Sequence, residues 1–523
     1  MFSDCNSITS IDLSKFKGSR FESTMEYMFN SCNNLKVVNF SNFDISQSKN
    51  MEYMFNNCSS LISFDLSAFA GSKINNIMRN MFNNCENLIS LDLSNLDISF
   101  TSDITQIFKG CDNIQYINLS NLKADNISNF SYMFDNMDNL ISLDLTNFKG
   151  SLIENNMDYM FNDCDNLKTI ILKNLDLSLT TNVSHMFNGC KSLKDLIIIN
   201  LNESSIEDYS YMFNECISIS SIDLSKFKGS KVENTMEYMF NNCNYLKSVN
   251  FSNLDMSLSH NMEYMYNNCY SLTSFDLSTF TGSKINNTMR NMFNNCNRLV
   301  SLDLPNLDIS FTSDITQIFK GCNNIEYINL SNLKADNIAN FSYMFDNMDS
   351  LISLDLSNFK GSLIENNMDY MFNNCDNLKT ILLPSLDLSY TTNISHMFEG
   401  CISLEKLIIA NLNESSITDY SFLFDNCKSL EEIDLSNFKG SKANNTMTYM
   451  FNNCTNLFRL NFTNFDLSHT ASMEYMFNNC TSLISLDLSN ITGSEVNNNM
   501  KNMFNNCQNL MSLDLSNLDF FDK

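Results

Sequence analysis

Apolar residues recur along this chain in a two-part beat. From Met78 to Ser99 the first part is Met78, Met81, Phe82 and Cys85, spaced i, i+3, i+4, i+7 as on one face of a short helix. Asn75 and Asn76 ahead of it offer side-chain acceptors suited to a helix start, and Asn83-Asn84 interrupt the pattern behind it. The second part is Leu88-Ile89-Ser90-Leu91-Asp92-Leu93-Ser94, whose end alternates apolar and polar as a half-buried strand does. The frame returns at Ile104, Ile107, Phe108, Cys111, Ile114, Ile117 and Leu119. Each unit is expected to run helix, turn, short strand, loop, with about eight inward apolar side chains worth roughly 1.5–3 kcal/mol each when buried.

Cysteine measures the repeat. Eighteen cysteines, from Cys5 to Cys507, are separated by 26 or 27 residues except at two gaps of 53, and Met137 and Met348 sit at the missing beats. The count is about twenty coils, each burying its apolar face against its neighbours. Residues 1–523 are therefore expected to form one continuous α/β repeat solenoid, with short parallel strands on one face and short helices on the other. Strands stacked about 4.8 Å apart would make it on the order of 95 Å long. A longer period lies over the short one. Ser99 through Cys111 recur identically at 310–322, an offset of 211 that divides the chain into 1–211, 212–422 and a partial 423–523. Duplicated coils extend a surface or a spacer, which favours an interaction protein over an enzyme.

The spacing Leu88, Leu91, Leu93, Leu96 is the L-x-x-L-x-L frame of leucine-rich repeats. With Met-Phe-x-x-Cys-x-x-Leu ahead of it, as in Asn50-Met51-Glu52-Tyr53-Met54-Phe55-Asn56-Asn57-Cys58, the chain resembles the BspA-type leucine-rich-repeat surface proteins over essentially its whole length. That resemblance implies a cell-surface or extracellular adhesion protein, holding a protein or glycan ligand on its strand face. An intracellular scaffold of the same fold is the alternative.

Charge narrows the partners. With 32 basic against 59 acidic residues the net charge is −27, which opposes nucleic acid and anionic lipid. No segment nears the roughly 20 apolar residues of a membrane span, so direct membrane insertion is not expected. Met1-Phe2 already matches the repeat at Met212-Phe213, so no export leader is expected within the chain.

Candidate chemistry reduces to three features. A cysteine ladder invites disulfides or a soft metal, yet no C-x₂-C pair exists and methionine twice replaces the thiol, so core packing is expected and no cofactor. The middle residue of each Leu-x-Leu faces outward and is usually Asp, as at Asp65, Asp92, Asp276, Asp303, Asp487 and Asp514. One reading puts calcium or a basic partner on this acidic stripe; the other has the carboxylates solvated or bonded to neighbouring Ser and backbone groups. Ile171 and Ile197, then Leu382 and Ile408, break the polar rule once per 211 residues, and Ile199 points the same way as Ile197. Exposed, these would mark a contact surface; a register change would bury them. The four histidines, including His185 and its counterpart His396, are expected to be solvated loop residues. No polar cluster or phosphate loop suggests catalysis.

Overall fold

The computed structural model describes residues 1–15, 24–41, 50–64, 77–92, 98, 101–119, 126–146, 155–173, 177, 179–198, 206–225, 234–251, 259–275, 288–303, 309, 312–330, 334–409, 416–436, 444–463, 465, 469–488 and 499–515. They form a parallel-strand β-solenoid whose contacts divide it into two compact units, Met1–Ser259 and His260–Lys523.

Both units are built alike. The Leu-x-Leu segments become strands that pair in parallel with the equivalent segment of the next coil. In the first unit Leu91 lies opposite Ile117, and Leu143 opposite Ile170. In the second, one sheet runs from Ser301–Asp303 through Tyr327–Asn329, Ser353–Asp355 and Thr380–Leu383 to Lys406–Ile409. Alternation decides the faces: Leu91 and Leu143 are buried while Asp92 and Asp144 are exposed.

The Met-x-x-Met-Phe-x-x-Cys segments are not helices, and no helix occurs among the described residues. Their backbone N–H groups alternate between two partners. Met81 N bonds to Met78 O at 3.2 Å and Cys85 N to Phe82 O at 3.1 Å, closing tight turns. Between them Asn80, Phe82 and Asn84 donate across to Thr105, Ile107 and Lys109 of the next coil at 2.7–3.0 Å. Asn80 and Asn84 have φ near +58°, a left-handed conformation foreign to a helix but natural to the third residue of a turn. Two successive turns thus carry the i, i+3, i+4, i+7 residues inward as a helix would. The neighbouring coil takes the hydrogen bonds that a helix would keep for itself.

Inside, like stacks on like. Phe134, Phe161, Phe187, Phe213 and Phe240 form a column with ring centroids 5.2–5.5 Å apart and planes within 10°. Phe345, Phe372, Phe398 and Phe424 repeat it in the second unit at 5.2–5.5 Å. Beside each ring a thiol links adjacent coils: Cys190 Sγ donates to the Phe161 carbonyl at 3.1 Å, and Cys401 Sγ to that of Phe372 at 3.1 Å. The cysteines are free thiols. Burial pushes that of Cys58 up to about 12, so it is a protonated donor at neutral pH. Met137 and Met348, fully buried, fill the same slot by packing alone.

Candidate interaction face

The outward column of the strand face begins with the carboxylates. Asp144 Oδ1 accepts the backbone N–H of Thr146 at 2.8 Å and also its hydroxyl. Asp12 and Asp434 accept from the backbone N–H of Ser14 and Ser436 at 2.9 Å. These hydrogen bonds, hydroxyl first, hold all three carboxyls below their usual range. Asn39 and Asn461 make the same bond to Ser41 and Thr463 at 3.0 and 3.1 Å. At these strands the side chain at this position therefore closes the turn that follows, a task Asp and Asn share. Sharing it relieves repulsion. Asp92 lies opposite Asn118, Asp303 opposite Asn329, and Asn250 Nδ2 donates to Asp223 Oδ1 at 3.0 Å. Asp487 and Asp514, both exposed, do face each other. Asp65 and Asp276 lie outside the described residues, as does Ile199. Among the described residues no three His, Cys, Asp or Glu side chains gather as metal ligands.

The apolar interruptions keep the regular register. Asp144 is followed across the sheet by Ile171 and Ile197, and Asp355 by Leu382 and Ile408. Ile197 and Ile408 are 38% and 39% exposed, Ile171 and Leu382 are half-buried, and the inward neighbours Ile170 and Ile381 are fully buried. Immediately beyond them the sheet stops in both units. Asp195–Ile198 is the last strand of its sheet and Ser221–Asp223 begins another; Lys406–Ile409 and Glu432–Asp434 repeat the division. Leu196 and Leu407, at the core register, are only half-buried there. A groove of about 370 Å³ lies at the second opening, lined by Leu407, Ile408 and Ile433 and rimmed by Glu405, Glu432, Asp434 and Arg459. Nothing in the spelling of Leu196 or Leu407 distinguishes them from other core leucines.

The model of a family described as Mycoplasma protein of unknown function, DUF285, matches residues 1–116, 76–197, 155–280, 287–408, 366–490 and 392–518. The chain belongs to the DUF285 family. No curated protein matches it. Among solved structures this DUF285 chain is similar to a leucine-rich repeat protein from Bacteroides ovatus ATCC 8483, at 18% identity over 78% of this chain and 81% of that one, with a TM-score of 0.38. It is also similar to a leucine rich cell surface protein from Faecalibacterium prausnitzii A2-165, at 14% identity over 72% and 83%, with a TM-score of 0.27. A leucine-rich repeat protein from Eubacterium ventriosum ATCC 27560 shares 13% identity over 68% and 74%, with a TM-score of 0.27.

The turn segments of the DUF285 chain carry two further columns. Tyr132, Tyr159, His185, Tyr211 and Tyr238 stack at 4.2–4.6 Å, every one at a left-handed turn position. His185 is therefore half-buried between two tyrosines rather than a solvated loop residue, and His396 likewise stacks between Tyr370 and Phe422 at 4.2 and 4.5 Å. Burial lowers the His185 pKa, against the pull of Asp208.

Alongside runs an amide ladder. Asn188 Nδ2 donates to Asn162 Oδ1, and Asn214 Nδ2 to Asn188 Oδ1, both at 2.6 Å. In the second unit Glu399 and Asp425 occupy the slots of Asn188 and Asn214. Glu399 accepts from His396 Nδ1 at 2.5 Å, and the buried Asn373 Oδ1 beside it has no donor. Burial first, then the Glu399 charge, pushes the Asp425 carboxyl up to about 6 against the bond from Asn452. A folded-state pKa above the unfolded value means the fold holds a proton that the unfolded chain releases. This group's contribution is therefore favourable at pH 4 and is lost as pH rises through 6. Asp425→Asn should raise stability by about 1–2 kcal/mol at pH 8 and give no such gain at pH 3, below the unfolded carboxyl's pKa, measured by urea unfolding at both.

Proposed function

We propose that this chain is a non-enzymatic adhesion protein of about twenty coils, at the cell surface or outside the cell, that holds a protein or glycan on its strand face. The observation that carries the reading is the recurrence of the outward-register pair Ile171 and Ile197, half-buried and exposed, as Leu382 and Ile408, 211 residues apart, in columns that are otherwise Asp or Asn. Exposed apolar side chains ringed by polar ones suit a contact surface. Superunits 1–211, 212–422 and 423–523 would each offer the acidic column, including Asp92, Asp303, Asp487 and Asp514, and the first two would also offer the apolar pair. Two equivalent sites on one chain raise avidity without new contacts. The net charge of −27 is adverse to nucleic acid as a ligand. Arrays of matrix proteins and glycans probed with the labelled chain test this. Ile197→Asp with Ile408→Asp should cut retained signal by about tenfold or more while leaving the melting temperature within about 2 °C. Unchanged retention would remove both residues from the contact.

A further inference from the structure

We infer that the opening between Lys406–Ile409 and Glu432–Asp434 accepts an extended segment of a partner protein as an added strand, its sequence basic–x–aliphatic–basic. The inference rests on the protein-binding reading above and names the partner's chemistry. The three inner strands of this sheet, Tyr327–Asn329, Ser353–Asp355 and Thr380–Leu383, pair with a coil on both sides; Lys406–Ile409, at its end, pairs with Thr380–Leu383 only, and Glu432–Asp434 with Arg459–Asn461 only. Two facing strand edges are left without each other, and an open edge is the template for strand addition. The coils have not come apart. On the turn side Phe398 still stacks on Phe424 at 5.4 Å, and Cys427 Sγ still bonds to the Phe398 carbonyl at 3.1 Å. Among the described residues it is on the strand face that pairing is lost, and the half-buried Leu407 registers the space at core level, where its partner Ile381 is fully buried.

The walls fix the pattern position by position. An inward residue of the inserted segment would lie between Leu407 and Ile433, which asks for an aliphatic side chain. The next, outward residue would lie between Ile408 and Asp434, where a Lys or Arg can rest its stem on the isoleucine and bring its charge to the carboxylate. Two positions before the aliphatic residue, the flanking side chains are Glu405 and Glu431, again suited to a cation. The residue between lies beside Lys406 and Glu432, opposite charges that favour a neutral polar side chain. The counterpart opening beside Asp195–Ile198 has Lys194 and Ser221 at the sites of Glu405 and Glu432, and is expected to prefer a less basic segment.

A fluorescein-labelled decapeptide built on Lys-Thr-Val-Lys tests this against the full chain by anisotropy and by amide exchange. Saturable binding is expected, with exchange at 406–409 slowed by about tenfold or more. Affinity should fall by about tenfold or more when the valine nitrogen is methylated, when valine becomes glutamate, or in Glu405→Lys with Asp434→Lys. Peptide changes leave the protein intact, so a folding defect cannot imitate the result. Equal binding of the methylated peptide, no slowing at 406–409, or filling of the opening by a second copy of the chain would overturn the inference. Absence of peptide binding while array ligands still depend on Ile197 and Ile408 would sink it alone; loss of both would sink the broader reading too.

Discussion

Phe187→Ala should lower the free energy of unfolding by about 3–5 kcal/mol, read as a shifted midpoint in urea unfolding. Phe187 is fully buried and stacks on Phe161 and Phe213, each at 5.4 Å. Truncation removes both faces of that contact at once. The cavity cannot close readily, because turn bonds on either side fix the coil spacing: Phe187 N donates to Met212 O at 2.9 Å, and Phe161 N to Met186 O at 2.9 Å. Phe187→Leu separates the causes. It keeps most of the apolar area but loses the stacking, worth about 0.5–1.5 kcal/mol per ring pair, so its cost should be about 1–3 kcal/mol. A negligible loss in Phe187→Leu beside a large one in Phe187→Ala would refute a stacking contribution.

The second large effect is electrostatic. Lys109 Nζ lies 2.5 Å from Asp135 Oδ2, whose side chain is 1% exposed, and 4.7 Å above the Tyr132 ring. Asn162 Nδ2 donates to the other carboxylate oxygen at 2.8 Å. Lys109→Met leaves a buried carboxylate without its cation and should cost about 3–5 kcal/mol at pH 7. Burial already holds the Asp135 pKa above its ordinary value. Without the lysine it rises further, so the folded variant keeps a proton that the unfolded chain gives up. Its deficit should therefore shrink toward pH 4 and grow as pH rises. Lys109→Met with Asp135→Asn should recover most of the loss, since asparagine continues the ladder formed by Asn162 and Asn188. A deficit independent of pH would assign the effect to lost packing instead.

The strand half of each coil was legible because alternation leaves one solution: Leu91 must go in and Asp92 out, and an in-register parallel stack repeats that choice from coil to coil. The turn half was misread as helix because Met78, Met81, Phe82 and Cys85 satisfy both geometries. The signals against helix were present in composition. Asn80, Asn83 and Asn84 supply polar positions where helices favour Ala, Glu or Lys, and the segment is too short to nucleate alone. Left-handed Tyr159 and the stack it joins had no signal of their own, because the stack exists only between coils. On the candidate face, Ile171 and Ile197 were visible as departures from Asp. The sheet opening beside them was not, since Leu196 has the ordinary spelling of a core position and its half-burial arises from a missing neighbour.

Like-on-like columns have a further cost. Where most coils present the same phenylalanine, thiol and amide, a strand displaced by one whole repeat meets an almost equally good surface, and a growing chain has many near-degenerate pairings. The Lys109–Asp135 pair removes that degeneracy locally: any slip of one coil leaves a buried carboxylate facing an amide and a lysine facing none. Within its own unit the Lys320–Asp346 contact, at 2.8 Å, does the same. These ion pairs act as index marks on an otherwise uniform zipper, and their loss should show in refolding as a slow, slipped population as well as in the native state's stability.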